Sequence, residues 1–324
     1  MGGEMIVAKD LHKAFYSHRR RGRIEAVAGI SLRVAKGETY GLIGPDGAGK
    51  STMMRLLNGL YIPDKGRASV GSYDTVRQFR EIHRISGYMA QRFALYGDLT
   101  VAENLRFFGR AYGLSAAECA ERVPKLLRFA GLDRFPQRLA ARLSGGMKKK
   151  LALASMLIHN PEVVFLDEPT LGVDPVSRRE FWDLLSALRA ERGLTIFVCT
   201  PYMDEAERCH TVGLIYEGRL IAQGTPHDIR ALVPGQMVEL RTNSLRAAEI
   251  ITGLEGVLEV QTYGRLLRVF VEDAKRRIAA LVGAIEASGI EVSGARVAEP
   301  GIEEAFVYLI RRQRQGGCVA HEPR

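Results

Sequence analysis

Three short runs in the first two thirds of the chain, residues 39–43, 163–166 and 195–199, are mostly apolar at successive rather than alternate positions. Strands buried on both faces have that composition, whereas a strand with one wet face alternates. Stretches with helical spacing separate the runs, which predicts an α/β fold built on a mainly parallel sheet. Each run leads directly into a polar, chemically rich segment. Ligands of such sheets gather at the carboxyl ends of the strands, so the three segments are expected to converge on one crevice. From about residue 75 to 143 the pattern turns helical. Thr100 with Glu103 and Ser115 with Glu118 both fit a capping box, in which side chain and backbone satisfy each other at a helix start. The first of these helices should stop near Gly113, and Pro124 should kink or split the second. Ser144 is placed to cap a further helix, whose apolar face carries Met147, Leu151, Ala154 and Ile158.

Beyond Gly224, Thr225 and Pro226 the composition shifts, and a second domain is expected to begin near Pro234 and Gly235. Its pattern reads strand 238–241, helix 245–254, strands 258–262 and 266–271, helix 275–287 and strand 291–297. That βαββαβ order is the ferredoxin-like split arrangement. A last helix, 302–311, follows Pro300, and the tail from Gln313 is expected to be disordered. The domain plan is therefore 1–230 with a helical part at about 75–143, then 235–312, then 313–324. No catalytic constellation occurs in the second domain, which reads as an interaction or regulatory module.

Length and composition fit this plan. A chain of 324 residues with 46% apolar and 26% charged residues has room for two globular domains. Its densest apolar run, 278–285, falls well short of the roughly 18 residues that cross a bilayer. The N-terminus lacks the basic and apolar regions of a secretory signal. Cys119, Cys199, Cys209 and Cys318 lie too far apart for metal-ligand spacing and read as reduced thiols. Part of the net charge of +9 sits in patches at 18–23, 148–150 and 311–314. Such patches suit solvent or anionic lipid headgroups as well as nucleic acid, and nucleic acid ranks last here.

The specific chemistry begins at Gly44, Pro45, Asp46, Gly47, Ala48, Gly49, Lys50 and Ser51, which fit G-x-x-x-x-G-K-[ST] between a strand and a helix. The glycines let backbone N–H groups point inward at phosphate oxygens, and the following helix adds the positive end of its dipole. Lys50 is expected to meet the β- and γ-phosphates and the Ser51 hydroxyl to ligate Mg²⁺. Met53, Leu56, Leu57 and Leu60 give that helix one buried face. This loop alone does not separate a kinase from an ATPase or GTPase. At the end of the second apolar run, Asp167 suits the Mg²⁺ sphere and Glu168 is placed to orient or deprotonate a water attacking the γ-phosphate. Lys148, Lys149 and Lys150 oppose the dipole of the helix they open, which implies either a nearby anion or free solvent.

The phosphate loop, the sequence Leu143, Ser144, Gly145, Gly146, and the run Leu166, Asp167, Glu168, Pro169, in this order, resemble the ATP-binding cassette ATPases over about residues 4–230. The resemblance implies a head-to-tail pair of cassettes, homo- or heterodimeric, in which Ser144, Gly145 and Gly146 of one chain reach the γ-phosphate held by the other. It adds Thr52 to the nucleotide site, Gln91 as the glutamine that senses Mg²⁺ and the membrane partner, and Asp174 as the aspartate of the loop after Glu168. Phe15 or Tyr16 is the candidate to stack on adenine, with a core aromatic as the alternative for Phe15. The C-terminal extension is similar to the domain appended to bacterial drug and antibiotic exporter ATPases of the daunorubicin-resistance type. Gly44 to Gly47 and Ser177 to Trp182 are similar to tandem-cassette efflux pumps. These likenesses imply ATP and Mg²⁺ as ligands, a separate transmembrane permease as partner, and a place on the inner face of the membrane.

Three residues depart from the family pattern. Asp46 stands where asparagine is usual and is expected to turn away from the phosphates. Met147 replaces a glutamine, a mild change. Pro201 stands where the family places a switch histidine, and proline can neither donate to the γ-phosphate nor hold the attacking water. His210, the nearest other histidine, lies beyond a helix expected at 203–208 and is a poor substitute. The alternatives to an exporter ATPase are a hydrolysis-impaired subunit paired with a complete cassette, and a cassette ATPase acting on ribosomes or nucleic acid.

Overall fold

The computed structural model describes residues 3–17, 22–91 and 95–314, and the chain divides into two compact units between Pro226 and His227. The basic stretch 18–21, Cys318 and the tail from residue 315 lie outside the described residues. Gln313 and Arg314 belong to the last helix rather than to a disordered tail.

In the first unit, β1 (Glu4–Ser17) and β2 (Gly22–Ala35) pair antiparallel along their length. β3 (Thr39–Ile43) and α1 (Lys50–Leu57) follow, then β4 (Lys65–Val70), β5 (Tyr73–Asp74), α2 (Phe79–Ile85) and β6 (Ser86–Met89). Next come α3 (Val101–Ala111), α4 (Ala116–Phe129), α5 (Gly145–Leu157), β7 (Val163–Asp167), α6 (Pro175–Arg192) and β8 (Thr195–Thr200). After a 3₁₀ turn at Met203–Arg208 the unit closes with β9 (Thr211–Tyr216) and β10 (Arg219–Gly224). A six-stranded sheet runs in the order β10-β9-β3-β8-β7-β6, parallel throughout except at the β10–β9 edge. β3, β7 and β8 are buried at every position, as their unbroken apolar runs require. A separate antiparallel sheet, β2-β1-β4-β5, covers the other side of the core. Its signal was legible in β2, where Ile30, Leu32 and Val34 are buried in alternation with exposed neighbours.

Both capping boxes form, and α3 ends at Ala111 with Tyr112 as its C-cap, just before Gly113. Four local expectations are corrected. The stretch read as helical from about 75 contains β6, an edge strand of the parallel sheet paired with β7. α4 runs unbroken through Pro124, which sits on its exposed face, where the carbonyl it leaves free is open to solvent. α1 stops at Leu57, so Leu60 lies outside it and is largely exposed. α5 has no single apolar face: all seven residues from Leu151 to Leu157 are buried, because β6, α3, α4 and α6 pack around it.

The second unit opens with α7 (Pro226–Ala231), which straddles the division, then β11 (Gln236–Thr242), α8 (Arg246–Thr252), β12 (Val257–Tyr263), β13 (Leu266–Val271), α9 (Ala274–Ala287) and β14 (Val292–Ala298). The sheet order β12-β13-β11-β14, antiparallel throughout, is the ferredoxin-like split βαββαβ topology. Val238, Leu240, Val269, Leu281 and Ile285 lie in the core between this sheet, α8 and α9. α10 (Ile302–Arg314) ties to the sheet through polar pairs: Glu304 with Arg268 and Tyr263, and Arg311 with Glu259. Among the described residues no helix is long and apolar enough to cross a membrane.

Candidate functional site

The loop 44–49 leaves β3 at its carboxyl end and turns into α1. Gly49 has φ 107°, and a Cβ there would strike the Ala26 carbonyl of β2, so only glycine fits. Lys50, Ser51 and Thr52 form the first turn of α1, where backbone N–H groups lack helical acceptors and the dipole is positive. The Lys50 side chain is almost wholly buried. Its Nζ donates to the carbonyls of Gly44 at 2.8 Å and Pro45 at 3.0 Å. Glu168 Oε1 lies 3.6 Å away and Asp46 Oδ1 3.8 Å. The Asp46 side chain is 89% exposed and meets the Lys50 ammonium only at that distance.

β7 delivers the two carboxylates. Asp167 Oδ1 accepts from the Ser51 hydroxyl at 3.0 Å, and burial pushes its carboxyl above the usual carboxylate range although that hydrogen bond and Lys50 oppose the shift. A carboxyl raised by burial gains from a cation placed against it. Asp167 and Ser51 present hard oxygen atoms side by side, a donor set that suits Mg²⁺. Glu168 is buried at a φ of 49°, in the left-handed region that non-glycine residues seldom occupy. Its N–H donates to the Cys199 carbonyl of β8 at 2.9 Å. Gln91, just beyond β6, donates from Nε2 to Glu168 Oε2 at 2.6 Å. The parallel sheet thus brings Gly44 to Thr52, Asp167, Glu168 and Gln91 to one crevice.

Other expected residues stand apart from it. Ser144 caps α5, accepting from the Met147 N–H at 3.2 Å, and Ser144 and Gly145 are exposed. Among the described residues no hydrogen bond or ion pair links Ser144, Gly145 or Gly146 to the phosphate loop. A Cβ on Gly146 would lie 2.7 Å from Ser177 Cβ, so glycine lets α5 seat against the start of α6. Asp174 caps α6 through the Ser177 N–H at 2.9 Å, which holds its carboxyl below the usual range. Of the three lysines opening α5, Lys150 finds an anion in Glu180 at 2.6 Å and Lys148 is exposed. Lys149 is half-buried in a cleft of about 380 Å³ shared with Gln91, Gly145 and Gly172, and burial lowers its pKa.

Phe15 lies on β1 opposite Ile24, two positions from the Ala26 that abuts Gly49. It is 38% exposed and packs edge-on against Tyr61 at 5.5 Å, while Tyr16 is 82% exposed. His210 Nδ1 accepts from the Thr39 N–H at 3.2 Å, at the opposite end of β3 from the phosphate loop, so it cannot stand in for residue 201. The spacing of motifs missed Thr170 and Glu205. They are buried and bonded to each other at 2.6 Å, and their only sequence signal was a polar residue inside each of two segments already flagged.

The profile of the ABC transporter family matches residues 27–171. The probable multidrug ABC transporter ATP-binding protein YbhF of Escherichia coli (strain K12) is 44% identical over 71% of the chain, which spans only 39% of that relative's length. A daunorubicin resistance ATP-binding protein of Streptomyces coeruleorubidus is 35% identical, covering 92% of this chain and 95% of that one. A linearmycin resistance ATP-binding protein of Bacillus subtilis (strain 168) is 32% identical over 95% and 99%. Among solved structures, a dimeric ATP-binding cassette in a post-hydrolysis state bound to ADP and Pi aligns with a TM-score of 0.62 at 26% identity, over 68% of this chain and 98% of that one. An ATP-binding subunit of an ABC transporter aligns with a TM-score of 0.61 at 32% identity, over 70% and 92%. With near full-length relatives above 30% identity and the phosphate crevice in place, the chain belongs to the ATP-binding proteins of ABC transporters.

Proposed function

We propose that the chain hydrolyses MgATP within a head-to-tail pair of cassettes and powers a separate membrane permease, from the inner face of the membrane, to export a drug- or antibiotic-like small molecule. One observation carries this reading: Lys50, Ser51, Asp167, Glu168 and Gln91 gather at the ends of β3, β7 and β6, with Ser51 bonded to Asp167 and both Lys50 and Gln91 in contact with Glu168. Lys50 is a desolvated cation with phosphate oxygens as its natural acceptors, and the N–H groups of the first turn of α1 point the same way. Glu168 is the base that orients the attacking water, and Gln91 fixes one of its oxygens. Ser51 and Asp167 would hold Mg²⁺, which when bound offsets the charge of the phosphates. Exposed Ser144 and Gly145 are free to meet a nucleotide held by a partner cassette. The names of the relatives, multidrug, daunorubicin and linearmycin resistance, support an exported small molecule. Among its described residues the second unit holds no comparable constellation, and it serves as an accessory module.

Pro201 favours a second reading, in which the chain turns over slowly and works beside a complete cassette. Steady-state phosphate release by the purified chain, beside Pro201→His and Glu168→Gln, decides between them. The exporter reading expects turnover that Glu168→Gln abolishes. The impaired reading expects Pro201→His to exceed the wild type by about 100-fold or more, the scale of one positioned acid–base group. Equal rates for wild type and Pro201→His would remove it. Nucleotide binding without any turnover, even with the permease present, would reject the ATPase reading.

A further inference from the structure

Behind the crevice, Thr170 and Glu205 are each 1% exposed, and the Thr170 hydroxyl donates to Glu205 Oε1 at 2.6 Å. Glu205 Oε2 is buried too and accepts no hydrogen bond from the described residues. A buried carboxylate satisfied on one oxygen is less stable than an apolar pair of the same shape, so packing alone does not account for it.

Its surroundings suggest what does. Thr170 lies two residues after Glu168, whose left-handed backbone persists only where several contacts over-determine it. Two backbone bonds hold Glu168 locally: its N–H to the Cys199 carbonyl at 2.9 Å, and its carbonyl to the Leu171 N–H at 3.2 Å. Thr170–Glu205 fixes the same turn from a separate segment, the 3₁₀ turn Met203–Arg208. That segment is itself fastened to α6, where the Arg178 guanidinium lies 4.2 Å over the Tyr202 ring and reaches Asp204 at 3.4 Å. Arg208 approaches Asp183 at 3.8 Å. Pro201, between β8 and this segment, has neither an N–H nor a side-chain donor. The Pro201 side chain therefore offers the Glu168 turn no hydrogen bond, whereas Glu205, four residues on, accepts one from Thr170.

We propose that Glu205 is a positioning residue for ATP hydrolysis, holding the Glu168 turn through Thr170 from the segment that follows Pro201. The role rests on the hydrolysis reading above. It concerns the placement of the base, so it belongs to kcat and leaves nucleotide binding by the phosphate loop untouched.

The full chain tests it by steady-state kinetics, ATP affinity and melting temperature. Replacing both partners with apolar side chains, Thr170→Val with Glu205→Met, leaves no buried polar atom unpaired. The double variant should melt near the wild type and keep its ATP affinity and KM within about twofold, while kcat falls by about 10-fold or more. Glu205→Gln keeps an oxygen for the Thr170 hydroxyl and should stay within about threefold of the wild-type kcat. A double variant with wild-type kcat would overturn the proposal, as would a Glu205→Gln variant as slow as the double. If the double variant does not fold, Thr170→Ala reads the same bond: a lower kcat at unchanged KM supports the role, and an unchanged kcat rejects it. A wild-type chain that binds ATP without turnover refutes the hydrolysis reading itself and this role with it. Slow variants beside an active wild type cannot arise from that failure.

Discussion

Lys50 shows how much one side chain draws from its setting. A lysine ammonium is strongly hydrated and is rarely buried without partners. Here two main-chain carbonyls and two carboxylates surround it. Phosphate oxygens are stronger acceptors than carbonyls, since both ends of the bond are then charged. Lys50→Met should therefore lower ATP affinity by about 10-fold, the worth of roughly 1.4 kcal/mol. Turnover should fall further, by about 100-fold, because the same charge meets the developing transition state. Titration with a fluorescent ATP analogue and phosphate release measure the two effects, and unchanged affinity would place the phosphates elsewhere. The identities of Lys50, Ser51, Asp167 and Glu168 were legible in the motifs. The hydrogen bond of Gln91 to Glu168 was not, because 77 residues separate them.

Helix boundaries follow local rules, and local sequence sets them well. Thr100 and Ser115 cap α3 and α4 in full boxes, and Asp174 caps α6 behind Pro175 at its first position. Thr100→Ala removes the acceptor for the Glu103 N–H and should cost about 1 kcal/mol of stability, read as a lower denaturation midpoint at unchanged slope. Thr100→Ser keeps the acceptor and should be close to neutral. A loss equal to that of alanine would assign the effect to the methyl group instead. Local rules fail where tertiary contacts outweigh them. Pro124 does not break α4, and α5 is buried on every side by neighbours that no window of sequence reveals.

At the scale of the whole molecule each unit buries charged side chains of its own. The sheet of the second unit carries a charged cluster in which Glu239, 8% exposed, accepts from Arg296 and Arg268, while Arg268 also pairs with the buried Glu304. The Arg296 hydrogen bonds, with Arg268 adding to them, hold the Glu239 carboxyl below its ordinary pKa against the pull of burial. A carboxylate depressed in the folded state adds stability above its unfolded pKa, and that stability is lost as pH falls through the folded value. Glu239→Gln should therefore be less stable than the wild type near neutrality, and the gap in melting temperature should close below about pH 4. Calorimetry of the full chain across that range would show it, and a gap independent of pH would assign the loss to packing. The sequence by itself determined the buried strands, the caps, the βαββαβ order and the phosphate loop, because periodicity and turn chemistry act over a few neighbouring residues. Only the tertiary structure decided that Gln91 meets Glu168, that Glu205 meets Thr170, that His210 lies at the far end of β3 from the phosphate loop, and that β6 joins the sheet. Those facts depend on which strands lie side by side, and strand order comes from packing each unit around its own core rather than from any local pattern.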